Sequence, residues 1–178
     1  FNIPVPEGIT KPHLLTIHGN GIPANADRNI VFVSRNHAQR LGSESFVYNG
    51  LDWDDYGPAN LNLSRKNYHF LGKAAWKVKN IKGAIAVVQS IKNAQLDVLG
   101  GYRLNLKMGF RFTWNPRIHF HGMVDDSKKK VIIEQSKGLI FPVTWHEPFG
   151  LAITESLYFG APVFGTPYGA LPELVSPE

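Results

Sequence analysis

A chain of 178 residues with 43% hydrophobic and 19% charged side chains has enough apolar material to bury a core, which excludes a disordered tail and leaves room for one or two small domains. It has no cysteine, so a disulfide scaffold, a thiol nucleophile and a Cys-ligated zinc are excluded; no apolar run approaches the ~20 residues that cross a bilayer and no leader opens the chain, so the expectation is a cytoplasmic protein. The net charge of +5 is either a solvated basic surface or a sign of a diphosphate ligand, an anionic membrane face or nucleic acid.

In chain order, the opening Phe1-Asn2-Ile3-Pro4-Val5-Pro6 reads as the middle of a longer chain. Residues 13–18 are a short apolar run closed by Gly19-Asn20-Gly21, as a buried strand and turn would be. Residues 29–34 predict a second strand, 35–41 two helical turns stopped at Gly42, and 45–48 a third strand. Residues 51–66, rich in Asp, Asn, Gly and Pro, predict a linker. A second block then alternates: strand 67–71, helix 80–91, strand 95–99, strand 117–121, helix 127–135, strand 138–143 and helix 151–159. Residues 102–114 are ambiguous and are read as a helix broken at Gly109. Strand, helix and strand in turn imply an α/β fold with a parallel sheet and right-handed crossovers. Lys128-Lys129-Lys130, at a helix start, is expected to face solvent.

The most informative stretch is His146-Glu147-Pro148-Phe149-Gly150-Leu151, followed by Glu155. A strand, a Pro-Phe-Gly turn and a helix N-terminus put unpaired backbone N–H groups at the carboxyl edge of a sheet, where open α/β folds hold phosphates. Two carboxylates flank that anion site and are suited to sugar or ribose hydroxyls. A nucleotide-sugar satisfies all three groups.

The stretch resembles the E-P-F-G-L-x-x-x-E signature of the retaining glycosyltransferases of family 4, or group 1 glycosyltransferases, which have the GT-B fold. Gly160-Ala161-Pro162-Val163 resembles the family's G-x-P-V strand, and Gly169 to Val175 its G-x-x-x-E-L-V loop. Upstream, Val33-Ser34, Tyr48-Asn49-Gly50-Leu51-Asp52, Phe70-Leu71-Gly72-Lys73 and Ile118-His119-Phe120-His121-Gly122 resemble its V-S, Y-N-G-V-D, F-V-G-R and V-x-F-x-G segments. The resemblance implies a Rossmann-like, doubly wound parallel sheet of GT-B type. It assigns residues 1–54 to the last part of an N-terminal, acceptor-side domain, 55–66 to a linker, and 67–178 to a nucleotide-sugar-binding domain truncated at its end. A fragment of a longer enzyme is the expected reading.

By resemblance, Lys73 stands where the family has a diphosphate-binding Arg. Lys79 matches the Lys that follows it if one residue is inserted, with Lys77 as the rival. Lys in place of Arg keeps the charge and loses the two-pronged grip on phosphate. Phe149, Gly150 and Leu151 would present backbone N–H groups to phosphate and sugar oxygens, Glu155 would accept from the ribose, and Glu147 and His18 would face the transferred sugar. His119 and His121 share one side of a strand, a metal-like spacing without a carboxylate at ligand spacing in sequence, so no metal is expected. Gly19-Asn20-Gly21-Ile22-Pro23-Ala24 fits G-x-G-x-x-A, but Pro23 and the polar residues after it lead to a strand instead of a helix, and the dinucleotide reading fails.

The resemblance implies transfer of a sugar from a nucleotide-diphosphate donor with retention of configuration, with neither metal nor cofactor. The acceptor is an unknown glycan or lipid-linked molecule, with peripheral contact to an anionic membrane as an option. Nucleic acid is not expected, on the reading that no stretch interleaves aromatic with basic residues as a nucleic-acid surface would. The alternatives are a GT-B nucleotide-sugar epimerase and a non-catalytic module that binds a nucleotide-sugar or an anionic lipid.

Overall fold

The structure, a computed structural model, describes residues 10–22, 26, 28–106 and 108–176. The expectations for Phe1 to Pro6 and for Pro23-Ala24 lie outside them. The chain packs as two units. One takes in the described residues up to Leu51, with His146–Leu151 and those from Pro167 on; the other takes in Asp52–Trp145 and Ala152–Thr166.

In the first unit, β1 (Leu15–Ile17) and β2 (Ile30–Phe32) pair in parallel, with Ile17 opposite Phe32. The expected strand at 45–48 is reduced to a single bridge, Phe46 to Phe32, held by Phe32 N–H to Ser45 O and Val47 N–H to Phe32 O. Asn49-Gly50 ends the extended run before a ladder can grow. Ser34 caps α1 (Arg35–Arg40): its hydroxyl accepts from the His37 N–H at 3.1 Å, satisfying one donor of the open helix end. Ile17, Phe32 and Ala38 form this unit's core. His37 is fully buried with its ring edge against Phe32, and its Nε2 lies 2.9 Å from Gly19 O. Burial holds its pKa below the usual value, so the ring is neutral and Nε2 carries the donating proton.

In the second unit, α2 (Trp53–Tyr56) interrupts the stretch expected to be a linker, with Asp52 as its cap. Then follow β3 (Asn67–Leu71), a 3-10 turn (Lys77–Lys79), α3 (Ile81–Ser90) and β4 (Leu96–Leu99). Residues 102–114 are not helical: β5 (Leu104–Asn105) and β6 (Arg111–Phe112) form an antiparallel hairpin. The period is two, with alternate residues exposed, and Met108-Gly109 supplies the positive φ of the turn. β7 (Ile118–Phe120), α4 (Asp126–Glu134), β8 (Ser136–Phe141), α5 (Leu151–Tyr158) and β9 (Val163–Gly165) follow. α6 (Leu171–Leu174), which belongs to the first unit, is a short helix where a loop was expected, with Pro172 in its first turn.

The five strands run parallel in the order β7-β4-β3-β8-β9. Their apolar residues cover both faces. Phe70, Val98 and Ile140 pack with Ile81, Ala84 and Val88 of α3. Leu71 and Leu99 pack with Ile133 of α4 and with Phe159 just after α5. Helices on both faces of a parallel sheet make this unit doubly wound.

Candidate functional site

The strand order of the second unit reverses between β3 and β8, the kind of switch point at whose carboxyl ends open α/β sheets bind their ligands. Gly100, at φ +102°, lets the loop after β4 approach closely, since a Cβ there would stand 2.4 Å from Gly72 O. Lys73 follows Gly72 at the end of β3, exposed, with its ammonium 5.2 Å from the Trp76 ring centre. The 3-10 turn then carries the chain across toward β8. Thr144 N–H donates to Val78 O at 2.9 Å, and Asn80, in the left-handed conformation, donates from Nδ2 to Pro142 O. Its Oδ1 meanwhile caps α3 at Gly83 N–H. This lacing sets Lys79 beside β8, its ammonium 5.6 Å from the Phe141 ring centre and 5.2 Å from that of Trp145. Lys77, its rival, instead lines a cavity of about 260 Å³ toward the hairpin.

Glu155 lies on α5, 7% exposed, and its carboxylate is already engaged. Tyr56 donates to it at 2.6 Å, and the Lys129 ammonium forms a short ion pair with it. Burial pushes the Lys129 pKa down, but hydrogen bonds to Asp126 and Glu155 outweigh that and hold it above the usual range. Burial and the Glu155 hydrogen bond together raise the Tyr56 pKa. The lysine run thus departs in part from the solvent-facing expectation: Lys128 is exposed, but Lys129 is half-buried in an ion pair, and Lys130 donates to Tyr56 O and Pro58 O. The pattern was present in the sequence. Lys129 precedes Ile132 and Ile133 by three and four positions, which puts it on the inward stripe of α4. Tyr56 was missed because it sits in a stretch read as linker.

The first unit holds Glu147, Phe149, Gly150 and Leu151. Glu147 is 7% exposed and its backbone bridges to Gly169, with Ala170 N–H donating to Glu147 O at 2.9 Å. Gly169 has φ +70°, and a Cβ there would lie 2.2 Å from Glu147 O and 2.3 Å from Glu147 N. Phe149 is buried with its ring 6.0 Å from that of Tyr48, and Gly150, at φ +96°, turns the chain into α5. Asn20 donates to His146 O at 2.8 Å and accepts from Arg40. The Glu173 carboxylate accepts from the Arg35 and Asn36 N–H groups opening α1, and from the Tyr48 hydroxyl. Its charge thereby meets the positive end of α1. His18 directly follows β1 and is exposed.

His119 and His121 are half-exposed and reach the neighbouring strand. His119 Nε2 lies 3.1 Å from Gln95 Oε1, and His121 Nε2 lies 2.7 Å from Asp97 Oδ1, so a carboxylate does stand beside this pair in space. Among the described residues no three such side chains gather as a metal site, and no helix is long and apolar enough to cross a membrane.

A family model described as glycosyl transferases group 1 matches residues 65–178. No curated protein matches the chain in sequence. Among solved structures, a glycosyltransferase involved in avilamycin A biosynthesis, AviGT4, superposes with a TM-score of 0.71 at 16% identity over 90% of this chain and 51% of its own. Alr3699/HepE of Anabaena, solved with UDP-glucose, superposes at 0.66 and 19% identity, over 83% of this chain and 47% of its own. The sucrose-phosphate synthase of Thermosynechococcus elongatus does so at 0.62 and 19% identity, over 80% and 41%. The chain therefore spans about half the length of the structures it matches, and its sheet is the Rossmann-like sheet of GT-B glycosyltransferases. With a matching model over residues 65–178, the chain belongs to the group 1 glycosyltransferases.

Proposed function

We propose that this chain carries the nucleotide-sugar-binding part of an enzyme that transfers a sugar from a nucleotide-diphosphate donor to an acceptor, with retention of configuration and without a metal ion or cofactor. The observation that carries the reading is the pair of lysines at the carboxyl edge of the sheet: Lys73 two residues past β3, and Lys79 against the end of β8. Departure of a diphosphate from the sugar carbon builds negative charge on the leaving oxygen. Fixed ammonium groups and backbone N–H groups stabilise that charge without reorganising. Lys73 and Lys79 of the second unit have this role in the proposal, which a divalent ion has elsewhere; the family resemblance assigns the N–H groups of Phe149, Gly150 and Leu151 to phosphate and sugar oxygens.

Glu155 takes the ribose hydroxyls, its carboxylate oriented by Tyr56 and Lys129. Glu147 faces the transferred sugar, and His18 stands near it from the end of β1. The nucleotide-sugar bound by the structural neighbour HepE is consistent with such a donor. The acceptor is a glycan or a lipid-linked molecule, and the setting is cytoplasmic.

The test is a turnover assay with UDP-, GDP- and ADP-sugars on the enzyme that contains this chain, in the presence of a chelator. Transfer with the donor's anomeric configuration kept in the product supports the reading, with turnover falling at least tenfold in Lys79→Ala, since one such donor is worth ~2.7–4 kcal/mol. Inversion, or dependence on added metal, overturns it. Epimerised donor without acceptor points to the epimerase, and binding without turnover to the module.

A further inference from the structure

Residues 56–124 contain eleven lysines and arginines and a single acid, Asp97. Within that basic stretch the β5–β6 hairpin is inside out. Leu104 pairs with Phe112 and Asn105 with Arg111, so side chains two apart share a face. The outward face is wholly apolar: Tyr102 is 62% exposed, Leu104 49%, Leu106 71%, Phe110 74%, Phe112 48% and Trp114 83%.

The inward face is polar and cationic. Arg103 donates to the carbonyls of Thr113, Asn115 and Ile118, and Arg111 donates to Thr113 Oγ1 and Tyr102 O. Both guanidinium groups lie over the Phe120 ring, at 5.9 and 5.0 Å. An antiparallel ribbon on a water-soluble surface normally hides its apolar side. An apolar face of this extent marks a contact site.

We propose that this face docks on an anionic phospholipid surface. Three observations select that occupant. Exposed Leu106 and Phe110 stand before and after the turn, whose sequence adds Lys107, while Tyr102 and Trp114 stand at the hairpin's base, as aromatic residues do at the headgroup level. Lys77 and Lys82 line the cavity of about 260 Å³ beside the hairpin, with Trp76, Met108 and Phe110, so cations flank the apolar face. No acid other than Asp97 lies in the surrounding sequence to repel a negative surface. The stretch does interleave aromatic with basic residues, contrary to the sequence expectation. A nucleic-acid platform, however, needs cations on the face that stacks the bases, and here the guanidinium groups are turned away and engaged.

This inference goes beyond the proposed transfer reaction and does not rest on it. The experiment is flotation of the chain with vesicles of phosphatidylcholine alone, or with phosphatidylglycerol added, for the wild type, Leu106→Ser/Phe110→Ser and Trp114→Phe. The expected result is at least tenfold stronger binding to the anionic vesicles, weakened by salt and lost by at least tenfold in the double variant. Unchanged thermal unfolding of that variant shows that it is folded. Lipids brominated in the acyl chain quench wild-type tryptophan fluorescence, and Trp114→Phe, which keeps the apolar face, loses most of that quenching while still binding. Absence of binding to either vesicle overturns the proposal, as does binding that the double variant retains. Concentration-dependent dimerisation that the double variant abolishes would instead assign the face to a second copy of the chain.

Discussion

The Lys129 and Glu155 side chains are 12% and 9% exposed, so the ion pair between them is shielded from water. Removing one member strands the other in a poorly solvated place, which typically costs 3–5 kcal/mol, whereas removing both can be nearly neutral. Lys129→Ala is therefore expected to destabilise the protein by ~3 kcal/mol, and Lys129→Ala/Glu155→Gln by clearly less, in urea unfolding. Equal losses in both variants would mean that the pair is not coupled. His69 makes a different prediction. It is fully buried, with Nδ1 2.7 Å from Ser136 Oγ and Nε2 2.9 Å from Ser156 Oγ, and burial lowers its pKa to about 3. In the unfolded chain the ring titrates near ~6.5. Between these values the unfolded state holds the extra proton, so the contribution is fully present above pH ~6.5 and is lost as pH falls toward 3, at up to ~1.4 kcal/mol per pH unit. Burial of His37 acts in the same sense. Unfolding free energies measured between pH 7 and 4.5 are expected to fall for the wild type and to fall less steeply for His69→Leu. Both serines keep backbone acceptors in that variant, at Asn67, Gly138 and Ala152. Parallel slopes would refute the burial argument.

At the scale of elements, the contact between Glu147 and Gly169 is the tightest backbone approach at the candidate site. Gly169→Ala combines a positive φ with a Cβ about 2.2 Å from a carbonyl oxygen, so the two segments must separate. A loss of at least ~2 kcal/mol is expected in thermal unfolding, against no more than ~0.5 kcal/mol for Gly50→Ala, where a Cβ meets nothing within 4 Å. Equal stability of the two variants would show that the approach is not tight.

The strands and helices of the parallel sheet were legible because their residues repeat with period 2 or 3.6 between glycine and proline signals. The run 67–71 is β3 residue for residue. Residues 102–114 were not legible as a hairpin because its pattern is inverted, with apolar residues outward, and Met108-Gly109 is a weak turn signal. At the candidate site, E-P-F-G-L stood out as residue types at fixed spacing, whereas Lys73 and Lys79 were singled out only by the family resemblance, Lys79 with one residue inserted. What the sequence withheld was the company of Glu155. Its partners, Tyr56 and Lys129, are distant in the chain, and only the packing of α2 and α4 brings them to it.

Over the whole molecule, charge is segregated along the chain. The eleven cations of residues 56–124 face one acid, while the remaining residues carry thirteen of the fourteen acids. A field of this sign around the sheet that carries Lys73 and Lys79 favours a doubly charged diphosphate and weakens with salt. Ligand binding raises the unfolding free energy by ~2.7 kcal/mol at a hundred times the dissociation constant. The most direct measurement is therefore thermal unfolding of the chain with UDP-, GDP- and ADP-sugars, with and without EDTA, for the wild type and Lys79→Ala. The account predicts that at least one nucleotide-sugar raises the wild-type midpoint equally with or without chelator, and that Lys79→Ala needs at least tenfold more ligand for the same shift. No shift with any nucleotide-sugar, or an identical shift in Lys79→Ala, would contradict it.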